Sequence, residues 1–148
     1  MPPTTAPNGM TREKALRQAR FVALFLLAAQ VLFLGVVAAL VATKAIEPGP
    51  EDLTQPLTAA CVVVFAVLVP LAFILRRRLA EPQEAEGAPV APENLLKAHI
   101  IFAALCEMVT LLCLISTLVH GALVPGALLA LLAMGVQATN VPRAEDPA

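Results

Sequence analysis

Tryptophan and tyrosine are both missing from this chain, and its only aromatic side chains are six phenylalanines. The amphipathic rings that commonly mark the two faces of a bilayer are therefore lacking, and any such marking has to come from basic clusters. Charge is scarce too: Asp, Glu, Lys and Arg make up 14% of the residues, against about a quarter in a soluble domain. Hydrophobic residues make up 59% and the mean hydropathy is +0.81, so water cannot be the main solvent of the fold. A length of 148 residues leaves room for up to four spans of about twenty residues each, with linkers, and for no separate soluble domain. The formal net charge of -1 hides a segregation, because the charged residues fall between the apolar runs. It gives no argument for a nucleic-acid partner, and none is expected.

Chemical signatures are lacking as well. The chain has no Walker loop, no Ser/His/Asp set, no zinc-protease motif and no haem-attachment sequence. No enzyme, cofactor or metal is expected. The three cysteines, Cys61, Cys106 and Cys113, all fall inside apolar runs, and an odd number of thiols at hydrocarbon depth reads as small apolar packing in place of disulfides.

Four apolar runs are present, at about residues 21–43, 57–75, 98–120 and 123–138. The first follows Arg12, Lys14, Arg17 and Arg20 and is 23 residues long, too long for the apolar core of a cleaved signal and long enough to anchor. Residues 44–56 are acidic and Pro-rich and make a turn. The second run contains Pro70 and stops at Arg76, Arg77 and Arg78. Pro70 removes the bond its nitrogen would give the Ala66 carbonyl. Residues 80–92 read as a solvated linker between two helical hairpins. Gly121 is a plausible cap for the third helix, and Pro125 suits the first turn of the fourth. The expected organisation is a disordered basic tail over 1–17, a four-span domain over 18–138 and a disordered tail over 139–148. The fourth run is the shortest and is the one open to a tilted or re-entrant path. The expected fold is all-α: an integral membrane four-helix bundle of two antiparallel hairpins.

Nine of the ten Lys and Arg residues lie on one side in that arrangement and only Lys44 lies on the other, so both termini are expected in the cytoplasm. The expected location is the cytoplasmic (inner) membrane of a bacterium, as a multi-pass protein.

The third run carries the two patterns that point to a site. His99, Ala103, Cys106, Thr110, Cys113, Thr117 and His120 follow one another at alternating spacings of four and three, which puts them on one stripe of a supercoiled helix. Small and hydroxyl side chains on such a stripe let two helices approach closely in lipid, so Ala103, Cys106, Thr110, Cys113 and Thr117 form an expected packing seam, with Leu105 and Leu112 on the opposite face. A metal site on the same stripe fails on distance. Residues seven apart are separated by about 10 Å along the axis, whereas ligand bonds are near ~2 Å.

Glu107 is the only ionisable residue between Ile100 and Val119. An acid at that depth is costly, so it is hidden, paired or used. With no cation in any run, its carboxyl is expected to be neutral and to donate a hydrogen bond. Gln30, ten residues past Arg20 as Glu107 is ten past Lys97, is the expected partner, with Thr110 as a second. Glu107, Gln30 and Thr110 are thus the candidate ion or proton site, against a plain packing role. Ala28, Gly35, Ala39 and Ala42 in the first run, and Gly126 and Ala130 in the fourth, offer further small-residue contacts to another helix or another subunit.

The segment AALCEMVTLLCLISTLV, following a basic loop, resembles the carboxylate-bearing helix of the rotor-ring proteolipid of ATP synthases, and also small uncharacterised four-span bacterial membrane proteins. The resemblance covers residues 76–119. It implies a carboxyl, here Glu107, able to carry a proton or sodium ion. The preceding run has no glycine repeat, and the acid lies in the third run, not the last; both depart from the proteolipid pattern. The expected role is non-enzymatic, through helix association in the lipid bilayer with copies of itself or another membrane protein. The alternative is a proton- or cation-linked protein using Glu107.

Overall fold

The computed structural model describes residues 11–80 and 91–142. These residues form four helices: α1 (Arg12–Ala42), α2 (Glu51–Ala80), α3 (Pro92–His120) and α4 (Gly126–Thr139), with no strand among them. The fold is the all-α bundle expected from the four apolar runs. Residues 81–90 of the linker expected over 80–92, and most of the two terminal tails, lie outside the described residues.

Local chemistry sets the helix ends, in three places against expectation. Residues 12–17, expected in a disordered tail, are the first turns of α1. Thr11 caps them, its hydroxyl accepting from the Lys14 N–H at 3.3 Å, with Glu13 favourably placed in the first turn. α2 starts at Glu51, six residues before its apolar run, and takes both Pro56 and Pro70 inside it. The segment 43–50 turns the chain, with Lys44 at a φ of 52°. Gly121 closes α3 at a φ of 63°, its N–H bonding the Leu118 carbonyl, and Pro125 sits just before α4 instead of in its first turn.

α3 is the hub. α1, α2 and α4 all pack on it, α4 also touches α1 and α2, and α1 and α2 do not pack on each other. The hub role shows in burial: 50% of the most apolar window of α3 is inside the bundle, against 17% for α2 and 11% for α1. One strip of α3, running through Lys97, Ile101, Ala104, Met108, Leu111 and Ile115, faces outward.

At about 1.5 Å per residue the three long helices, of 31, 30 and 29 residues, run to about 43–46 Å, enough for a hydrocarbon core near ~30 Å. They are long and apolar enough to cross a membrane. α4, with 14 residues, reaches about 21 Å and is short for the span expected at 123–138. The main core cluster is built from small side chains: Val37 of α1, Cys61 of α2, Val109, Cys113 and Leu114 of α3, and Ala130 and Ala133 of α4. A second cluster joins Ala72 of α2 to Phe102 and Cys106 of α3.

Candidate functional site

The stripe on α3 turns inward. Ala103, Cys106, Thr110, Cys113 and Thr117 are all buried, each at most 2% exposed. The hydroxyls of Thr110 and Thr117 donate to their own helix, to the carbonyls of Cys106 at 3.0 Å and Cys113 at 2.9 Å, so they present a methyl surface and leave no donor unsatisfied. α4 lies on this surface with Gly126, Ala127, Ala130, Ala133 and Met134 buried. Gly126 is the tightest point of the contact. A β-carbon there would stand 2.6 Å from the Cys113 carbonyl oxygen and would also collide with the Thr117 hydroxyl. The three thiols are free and buried, and Cys61 and Cys113 share one core cluster.

The opposite face is not where the heptad spacing puts it. Leu105 and Leu112 are half-buried and pack against the two core clusters, because helices surround α3 on three sides. The outward strip is rotated from them, through Ala104, Met108, Leu111 and Ile115.

Glu107 stands on the border between the buried and outward faces. Of the residues one turn away, Ala103 and Thr110 are buried and Ala104 and Leu111 exposed, and Glu107 itself is half-buried. Its two expected partners bond elsewhere. Thr110 is engaged with Cys106, and the Gln30 amide donates to Gln137 Oε1 at 2.9 Å. Gln137 in turn directs its own amide toward the Ala23 carbonyl at 3.5 Å. Both glutamines are 1% exposed, and Gln30 Oε1 is left with no donor among the described residues. The helix register keeps this acceptor close in depth to Glu107. Val37 packs with Val109 to Leu114, and Phe21 shares a groove with Leu96 and Ile100, so Gln30 lies within about one turn of Glu107 along the axis.

Gln137 was not singled out from the sequence. A polar amide inside an apolar run is a visible signal, but its pairing with Gln30 depends on where α4 begins, and that is set by the turn over residues 121–125.

Polar contacts also fasten the two ends of the bundle. At one end Arg76 Nη1 donates to Asn140 Oδ1 at 2.7 Å, and its guanidinium lies 5.4 Å from the centroid of the Phe102 ring. Phe73 meets the same ring edge-on, with centroids 5.0 Å apart. At the other end His120 joins α3 to α2. Its Nδ1 is 2.7 Å from the Ser116 carbonyl oxygen, which can only accept, so the proton is on Nδ1. Nε2 is 2.9 Å from the Thr58 hydroxyl, whose single proton is also within reach of the Thr54 carbonyl oxygen of α2, at 2.9 Å. Beyond the helix end, the Gly49 N–H bonds the Val119 carbonyl at 2.7 Å and ties the first turn to α3. His99 and His120 are held apart by the length of α3, and among the described residues no group of three His, Cys, Asp or Glu side chains is placed to hold a metal ion.

No protein family, no characterised protein and no solved structure matches the chain.

Proposed function

We propose that this is a small multi-pass protein of a bacterial inner membrane, with four passes and both termini in the cytoplasm, that acts by associating with other membrane helices and catalyses no reaction. The observation that carries this reading is the outer face of α1. Phe21, Phe25, Ala28, Leu32, Gly35, Ala39 and Ala42 recur at spacings of four and three and are all exposed. Nothing lies within 4 Å of the place a β-carbon would take on Gly35, so the helix surface is open to a close neighbour. A second copy of the chain is the simplest occupant. Four passes are supported by the reach of the short helix: α4 begins beside Thr117 and its C-cap Asn140 touches Arg76, the residue that ends the second apolar run.

Copurification of two differently tagged copies from mild detergent tests the association. Gly35→Leu with Ala39→Leu is expected to reduce recovery of the second copy severalfold while leaving each copy in the membrane. Unchanged recovery would contradict self-association through α1.

One observation favours an ion-linked role for the same protein. Glu107 stands on the border between the buried and outward faces of α3, close in depth to Gln30 Oε1, a buried acceptor with no donor among the described residues. Dependence of any transport on proton or sodium gradients, abolished by Glu107→Gln in a folded protein, is the result that reading requires.

A further inference from the structure

We infer that the groove between the N-terminal ends of α1 and α3 is a binding site for an anionic phospholipid. This inference rests on α1 and α3 lying in a membrane, and it holds whichever leaflet the groove meets. The groove has a volume of about 580 Å³ and is polarised along the helix axes. Its outer end is formed by Lys14, Arg17 and Gln18, all exposed, and its inner end by Phe21, Leu96 and Ile100. Position in the helix explains the polarity. The apolar run of α1 starts at Phe21, so the turns before it project out of the hydrocarbon into the headgroup layer. Lys14, Arg17, Gln18 and Phe21, related by steps of three and four, lie on the exposed side of α1 and border the groove with Leu96 and Ile100 of α3. Glu13 points off that face, and Arg20 lies on a different side of the helix from Lys14 and Phe21.

A phosphodiester of net negative charge fits the outer end, where a point-charge ammonium and a forked guanidinium stand one turn apart over an amide donor. Its acyl chain follows the apolar wall toward the bilayer centre. A zwitterionic headgroup would bring its own ammonium against these cations, so the groove discriminates by charge. Grooves of this kind, basic at the interface and apolar below, suit anionic headgroups.

Native mass spectrometry of the full chain in detergent, supplied with phosphatidylglycerol or phosphatidylcholine of identical acyl chains, tests the site. The wild type is expected to retain phosphatidylglycerol preferentially. Lys14→Gln with Arg17→Gln is expected to lower that retention roughly 10- to 30-fold. The charge-matched pair Arg20→Gln with Arg78→Gln should change it less than about twofold. Ile100→Asn should weaken lipid retention, and excess inorganic phosphate should not displace the lipid. Equal retention of the two lipids by the wild type, or equal loss in both double variants, would overturn the site in favour of diffuse surface charge. Displacement by inorganic phosphate with no effect of Ile100→Asn would make it a bare phosphate site. A chain that leaves the membrane fraction without detergent would instead refute the membrane reading on which the inference rests.

Discussion

The carboxyl of Glu107 stands at mid-helix in α3, on the border between its buried and outward faces. Gln30 and Thr110 bond to Gln137 and Cys106, so neither expected partner is left to hold the acid. A lipid-soluble carbodiimide, which concentrates in hydrocarbon, is expected to label Glu107 in preference to the exposed Glu13 and Glu47. Mass mapping of the labelled protein checks this, and a Glu107 that resists while the exposed acids react would show it to be hydrated or paired. The glutamine pair makes a sharper demand. Gln137→Leu leaves the buried Gln30 amide without its acceptor and should cost about 1–3 kcal/mol, whereas Gln30→Leu together with Gln137→Leu removes both ends of the bond and should cost less than the single change. Thermal unfolding in detergent measures the difference. Gln30 was legible as an interior polar group from its place in the first apolar run. Its partner was not, since the pairing crosses 107 residues of chain and depends on the start of a different helix.

At the scale of elements, α3 and α4 meet through small side chains, and the contact has no slack at Gly126. Gly126→Ala is expected to destabilise the protein by about 1–3 kcal/mol, because its new methyl must displace backbone at Cys113, which cannot move as a side chain can. Thr110→Leu should be similarly disruptive, while Met108→Phe, on the outward strip, should be close to neutral; equal losses at Thr110 and Met108 would remove the distinction between the faces. Periodicity made the stripe on α3 readable, but a heptad pattern describes one contact, and α3 has three neighbours. That is why Leu105 and Leu112, opposite the stripe by spacing, are packed and the lipid-facing strip is elsewhere. Helix starts were the least legible feature. The Thr11 cap adds two turns to α1, and the 43–50 turn lets α2 begin ahead of Pro56, neither of which an apolar run records.

The whole molecule is a hub with three helices around it, and its class follows from composition: too few charges for a soluble surface, and apolar faces on α1 and α2 that the bundle leaves uncovered. The lengths of α1, α2 and α3 suit a bilayer by themselves. α4 does not, and its pass depends on the flanking turn at 121–125 and on the Asn140–Arg76 contact at its far end. The proposed orientation depends on nine basic residues against one. Both features meet in one experiment, a set of topology reporters fused within the 43–50 turn, within the 84–89 segment and after Arg143. The account predicts an external signal from the first and cytoplasmic signals from the other two. An external signal from 84–89, or from the fusion after Arg143, would contradict it.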